Sequence, residues 1–277
     1  MNQLSFYKYT SVTLIILVIL SFFLGFYLDE SSFGAAGYNG DFEHIYSNLE
    51  FFLKHDLTTS LANPYYHDSR PPTSYILHET LNPFADDKIN FRRSVFFISL
   101  LVPILFYLCL KQKFKNEDNL LLVLITSIVC LSPYFRTSSY WGLEENYGII
   151  SLLVTFLFLN KFLSNNNSSA KNYYQLFLIC FFSSLCLYFD QKLLIIPLII
   201  LFEILRSQIK LRFKIFSLIN YIIFAIPFLY LIIMWKGLVP PINEVLNPNQ
   251  GTHLSISNLH FFNMGYASAI MAFYLLP

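Results

Sequence analysis

The sequence predicts an all-α fold, a polytopic transmembrane helix bundle of about eight spans with a long extracytoplasmic first loop that carries an amphipathic helix. Three observations predict it. Hydrophobic residues make up 55% of the 277 and charged residues only 13%, with a mean hydropathy of +0.52; a water-soluble chain carries roughly 25% charged residues, so lipid must solvate most of these side chains. Apolar runs recur along the whole length. The basic residues also sort to one side of those runs, as they do in membrane proteins.

The runs are Tyr9 to Leu28, Ser94 to Leu110, Leu120 to Phe135, Gly148 to Asn160, Tyr173 to Phe189, Leu193 to Leu205, Phe216 to Trp235, and Phe261 to the end. The first follows the short polar stretch Met1 to Lys8 and has no small-residue cleavage signal after it, so it reads as an uncleaved span rather than a signal peptide. The fourth and sixth fall short of the ~20 residues that cross a bilayer and would need tilt or aromatic flanks. The last run reaches the C-terminus with no polar tail, which reads as a chain truncated within a single transmembrane domain covering 1–277.

With the N-terminus in the cytoplasm, ten Lys and Arg residues collect there, from Lys8 through Lys111, Lys113 and Lys115 to Arg206, Lys210, Arg212 and Lys214, against the acids Glu117 and Asp118. This bias places residues 29–93 outside the cytoplasm. A net charge of +1 supplies no basic field, which excludes nucleic acid as a partner. Cys109, Cys130, Cys180 and Cys186 all lie in apolar runs and read as small core residues, not a disulfide framework or a zinc site. No phosphate-binding glycine loop is present.

The long first loop holds most of the chemistry. Asp41 to Phe52 spaces Phe42, Ile45, Tyr46, Leu49 and Phe52 as one apolar helix face, suited to lying on the membrane surface. Asp41, Glu43 and His44 stand at its start. A carboxylate there can take a proton from a hydroxyl nucleophile or hold a cation that meets a phosphate leaving group; an interfacial acid that is simply solvated is the alternative. Further on, Arg70 precedes the diproline Pro71-Pro72, which fixes an extended chain, and its guanidinium fork suits phosphate or carboxylate. Arg92 and Arg93 stand at the mouth of the second span. Between the third and fourth runs, Arg136 precedes Tyr140-Trp141-Gly142-Leu143-Glu144-Glu145, where aromatics, acids and an Arg suit sugar rings and phosphate, or an interfacial aromatic belt. Glu203, near Arg206, reads as a structural acid reaching toward water.

In its order of elements the chain resembles the GT-C superfamily of polytopic glycosyltransferases, which use polyprenyl-phosphate sugars: a short cytoplasmic N-terminus, one span, a long outer loop with an acidic pair, here Asp41-Phe42-Glu43, then a Pro-Pro segment, here Arg70-Pro71-Pro72, then many spans. A narrower resemblance is to the dolichyl-phosphate-glucose alpha-1,2-glucosyltransferase family. Asp41, Glu43 and His44 look like its acidic-plus-His element and Phe91-Arg92-Arg93 like its Arg before the second span. Gln191 matches the Gln of its aromatic-Arg-Gln element, from which Asp190 departs. His253-Leu254-Ser255 and Leu259-His260-Phe261 look like the end of its Ser- and His-rich loop.

These readings together imply an inverting hexosyltransferase with Asp41 and Glu43 as catalytic carboxylates and His44, Arg70, Arg93, Arg136, Gln191 and His253 binding substrate. The donor is a polyprenyl-phosphate sugar and the acceptor a glycan or lipid-linked acceptor. No cofactor or structural metal is required, with room left for a divalent cation. The expected setting is the lipid bilayer of a bacterial inner membrane in preference to the endoplasmic reticulum, with the site on the extracytoplasmic side. A transporter or flippase of lipid-linked sugars, or an O-antigen-type polymerase, is the competing reading.

Overall fold

The computed structural model describes residues 3–31, 38–63, 66, 68, 70–164, 170–237 and 240, and among them there is no strand. Helices occur where the apolar runs predict them, and their starts are set by short polar side chains. Asp87 caps α5 (Lys88–Ser99) by accepting from the Asn90 N–H at 2.8 Å, Asp118 caps α7 (Asn119–Ile128) through Leu120, and Ser132 caps α8 (Pro133–Trp141) through Phe135. Proline at the first position of α8 lacks only an N–H that would have no helical partner. Gly142 ends α8 in the left-handed region, at φ 68°.

Five helices are long and apolar enough to cross a membrane: Tyr7–Tyr27 within α1 (Gln3–Tyr27), Lys88–Lys113 formed by α5 and α6 (Leu101–Lys113), Glu145–Leu163 in α9 (Glu145–Ser164), Asn172–Phe189 in α10 (Ala170–Phe189), and Leu211–Trp235, which is α12. The chain is thus a multi-pass membrane protein. Up to six crossings result if the bent pair Asn119–Leu131 and Pro133–Trp141 counts as one. The described residues show fewer than the eight expected from sequence, for identifiable reasons. The third run is broken by Ser132 and Pro133, so its two halves meet at 68°. The sixth becomes a 3₁₀ turn, Gln191–Leu194, followed by α11 (Ile195–Arg206); their combined rise is about 26 Å, short of the ~30 Å hydrocarbon core. The run from Phe261 lies outside the described residues.

Between α1 and α5 the chain is helical in pieces: a π turn at Tyr38–Phe42, α2 (Glu43–Lys54), α3 (Leu57–Leu61) and α4 (Thr73–Leu81). The expected amphipathic helix exists as α2, but its apolar face does not lie on a membrane surface. Ile45, Leu49 and Phe52 are buried in the protein's main core, with the Phe52 ring 5.5 Å from that of Tyr75 on α4. The hydrophobic face found its partner within the chain, because α4 offers it an apolar surface through Tyr75.

An aromatic seam joins α1, α5 and α8. Phe26 stacks on Phe96 at 4.0 Å and Phe22 on Phe135 at 5.4 Å, contacts worth about 0.5–1.5 kcal/mol each beyond burial. A second, smaller core joins α9 to α12 through Phe162, Leu176, Ile204 and Phe213. In α12, Pro227 interrupts the backbone ladder, and the Tyr188 hydroxyl enters the gap: it donates to the Phe224 carbonyl and accepts from the Phe228 N–H at 3.1 Å.

The α1–α8 contact is closed by Arg136. Its guanidinium donates to both carboxylate oxygens of Glu30, 2.7 Å from Nε, and to Ser21 and the Cys130 carbonyl. Gly25 makes the room: a Cβ there would stand 2.5 Å from both Arg136 Nη2 and Glu30 Oε2. Gly25→Ala should therefore cost about 1–3 kcal/mol through overpacking, read as a lower thermal midpoint in detergent; a wild-type midpoint would show that this contact does not hold α1 to α8.

Candidate functional site

The site forms where the chain after α3 meets the start of α9. Tyr66 stacks on Trp235 and donates to the Arg70 carbonyl at 2.9 Å, while Asp68 accepts from the Arg70 N–H at 3.0 Å and from the Tyr75 hydroxyl. Pro71 and Pro72 are buried and lead directly into α4. These contacts fix the backbone of Arg70 and send its side chain to two adjacent acids: Nη1 lies 3.1 Å from Glu144 Oε2 and Nη2 lies 2.6 Å from Glu145 Oε1. Glu144 also accepts from Ser74 on α4.

One guanidinium thus holds two carboxyl groups, while a third, Asp68, takes the Arg70 backbone N–H. The Glu144 side chain is 1% exposed. Its burial and the Asp68 carboxylate raise its pKa well above the usual carboxylate range, with Arg70 opposing. Burial alone would lower the Arg70 pKa, but the facing Glu144 and Glu145 carboxylates overcome it, and the net direction is upward. Tyr66 and Tyr75 are fully buried and stay protonated, raised by that burial and by Asp68.

Glu145 and Arg70 line a cavity of about 880 Å³ together with Asp41, Ser132, Tyr134, Thr137 and Ser138. Its rim is apolar. Ile128, Leu131 and Tyr134 are 58%, 48% and 56% exposed, so the cavity opens where lipid chains would surround the helices. The break at Ser132–Pro133 creates it, since α7 and α8 diverge there. A second cavity, about 440 Å³, lies between α4 and α5 and is lined mainly by Leu77, Leu81, Phe84, Phe97 and Ile98. His78 on its wall is pushed down to about 4 by burial and meets the Tyr147 hydroxyl at 2.8 Å, so it is neutral at physiological pH.

Two sequence candidates therefore come together, Asp41 and Arg70, and the others lie elsewhere. Glu43 is half-buried and pairs with Lys88. His44 meets Asn48 one turn along α2 at 3.3 Å. Arg93 is exposed on α5. Its neighbour Arg92 is the one drawn inward, over the Trp141 ring at 3.9 Å and paired with Asp29. Arg136 pairs with Glu30 rather than with the acids of its own loop. Gln191 opens the 3₁₀ turn capped by Asp190. His253, like His67 and Ser69 beside Arg70, lies outside the described residues. Glu145, from the loop of aromatics and acids that the sequence offered as suited to sugar and phosphate, lines the cavity; Thr137 and Ser138 line it too, although sequence reasoning did not put them there. Among the described residues no three His, Cys, Asp or Glu side chains are grouped to hold a metal ion.

Comparison with known protein families, curated proteins and solved structures returns no match.

The burial of Glu144 has a pH consequence. Its folded pKa lies above the unfolded value, so the folded state binds the extra proton, and this contribution to stability is lost as pH rises through the folded pKa. Glu144→Gln keeps the shape and cannot ionise. From about pH 4, the unfolded carboxylate pKa, upward, the wild-type thermal midpoint should fall more steeply than that of the Gln variant; parallel curves over that whole range would mean that folding does not raise the Glu144 pKa.

Proposed function

We propose that this chain is an inverting membrane glycosyltransferase that moves a sugar from a polyprenyl-phosphate donor to a glycan or lipid-linked acceptor on the extracytoplasmic side of a bacterial inner membrane. The observation that carries the reading is that Asp41 lines a largely apolar cavity that also holds Arg70, Glu145 and Ser132 and whose rim is exposed. A donor with a hydrocarbon tail can reach such a cavity from the bilayer while a hydroxylic acceptor reaches it from water. The acceptor oxygen attacks the anomeric carbon opposite the phosphate and its proton passes to Asp41. The carbon–oxygen bond to phosphate breaks with its electron pair on the departing lipid phosphate, and the sugar carbon inverts. Arg93, expected from sequence to bind substrate, is exposed on α5 and does not line this cavity.

Asp41→Asn should cut transfer from a panel of radiolabelled polyprenyl-phosphate sugars by about a hundredfold or more, with normal expression. Full turnover in both Asp41→Asn and Glu43→Gln would remove the carboxylates from the chemistry. A transporter of lipid-linked sugars has one observation in its favour, the 68° break between α7 and α8, since discontinuous helices line transport sites. Translocation of a fluorescent prenyl-phosphate sugar across vesicles, with no transfer of label to any acceptor, would select that reading.

The orientation is tested separately. Thr58 is exposed on α3, and the four native cysteines are buried or partly so. Thr58→Cys should react with an impermeant maleimide in intact spheroplasts; reaction only after lysis would invert the topology.

A further inference from the structure

The smaller cavity, about 440 Å³, lies between α4 and α5, and Leu81, Phe84 and Phe97 on its wall are 72%, 57% and 59% exposed, so it is open. The polar groups on that wall are bonded to one another or to the protein behind them. His78 sits between the Asn82 amide nitrogen at 3.0 Å and the Tyr147 hydroxyl at 2.8 Å; Asn82 also donates to Ser94, Ser94 donates to the Phe91 carbonyl, and Ser74 donates to Glu144. A polar ligand would have to break into these bonds, a cost that a hydrocarbon chain escapes.

The opening is continuous with the lipid-facing side of a membrane-crossing helix. Phe97 begins a stripe of exposed apolar residues, Leu101, Ile104 and Leu108, along one face of Lys88–Lys113. Those 26 residues span about 39 Å, so a centred helix extends about 4–5 Å past the ~30 Å hydrocarbon core at each end. Arg93 lies about 7.5 Å from the helix start, one turn before Phe97, and its side chain leans toward that start, which puts the guanidinium at the boundary between hydrocarbon and headgroups. Three cations stand at this end of the helix. Lys88 is answered by Glu43 and Arg92 by Asp29, whereas Arg93 is exposed and has no ion-pair or hydrogen-bond partner among the described residues. A guanidinium so placed meets lipid phosphate as its counterion.

We infer that the space between α4 and α5 binds an anionic phospholipid of the surrounding bilayer, one acyl chain entering the cavity past Phe97 and the phosphate held by Arg93. A charge at the boundary and an apolar recess one turn deeper match the two ends of such a molecule. The inference goes beyond the glycosyltransferase reading and stands without it. The bonds from Ser74 through Glu144 to Arg70 separate this cavity from the one that Asp41 lines, so a chain seated here is held apart from that acid. Its effect is on the fold: it ties α4, which carries Ser74 and covers α2, to a membrane-crossing helix.

The test is photo-crosslinking of the purified full chain in phosphatidylcholine nanodiscs that carry a trace of phosphatidylglycerol with a diazirine in one acyl chain, mapped by mass spectrometry. Cross-links should concentrate on α4 and on Phe97 and Ile98, above the level at Ile222 and Ile226 on the exposed face of α12. Diazirine phosphatidylcholine at the same mole fraction should label the cavity about fivefold less, the share of one cation near an anionic headgroup. Arg93→Gln, on the exposed surface, should bring the two lipids level. Leu77→Trp fills the recess and should abolish cavity labelling by both; if that variant does not fold, Arg93→Gln decides alone. Cavity labelling no higher than on α12, or a phosphatidylglycerol preference that survives Arg93→Gln, would overturn the inference. So would stronger displacement of the label by undecaprenyl phosphate than by unlabelled phosphatidylglycerol, which would give the recess to a prenyl chain.

Discussion

Arg70 joins the segment between α3 and α4 to the start of α9, reaching two acids more than seventy positions away in sequence. A guanidinium at such a place is tolerable only because every charge near it is answered: Glu144 and Glu145 on its nitrogens, Asp68 on its own backbone N–H, and Ser74 and Tyr75 on the acids in turn. The reach of this network sets the rest. It draws α4 against α9, and α4 in turn covers the apolar face of α2, which is why the segment between the first two long helices folds onto the bundle instead of spreading on a membrane. Removing the guanidinium would leave buried carboxyl groups facing one another, so the network stands or falls as a unit.

The break at Ser132–Pro133 is the second constraint, and it does two things with one change of direction. Proline cannot continue α7, because it has no N–H to donate to Val129 and its ring crowds that carbonyl. The chain therefore turns and α8 starts afresh under a serine cap. The turn aims Arg136 at α1, where Glu30 and Ser21 hold it, and it opens the space that Thr137, Ser138 and Glu145 line. A straight helix over the same residues would keep the apolar run intact and would leave neither clamp nor cavity.

Much of this was legible in the sequence where the signal is periodic and local. The helical class, the long apolar helices, the face of α2 and the structural role of Glu203, 3.7 Å from Arg206, all follow from hydropathy and spacing. Partners distant in sequence were not legible. Nothing local distinguishes Arg92 from Arg93, yet only Arg92 points at Trp141 and Asp29; adjacent residues on a helix differ by about 100°, and the face that meets α8 is set by the aromatic seam. Arg136 looked like a partner for the acids of its own loop because they are near in sequence, whereas the turn sends it to Glu30, 106 residues away. Sequence counted eight runs because composition does not register a 68° bend or a 3₁₀ start.

Glu144 and Glu145 show how one helix start can give neighbouring carboxyl groups different work. Glu144, in the turn before α9, meets Ser74 on α4, and Glu145, the first residue of α9, lines the cavity. Both share Arg70, so neither can move without the other. The sealed acid is driven toward its protonated form by burial and by Asp68. Two carboxyl groups on one guanidinium thus divide the work, Glu144 sealed against Ser74 and Glu145 set in the cavity wall with the Tyr134 hydroxyl beside it.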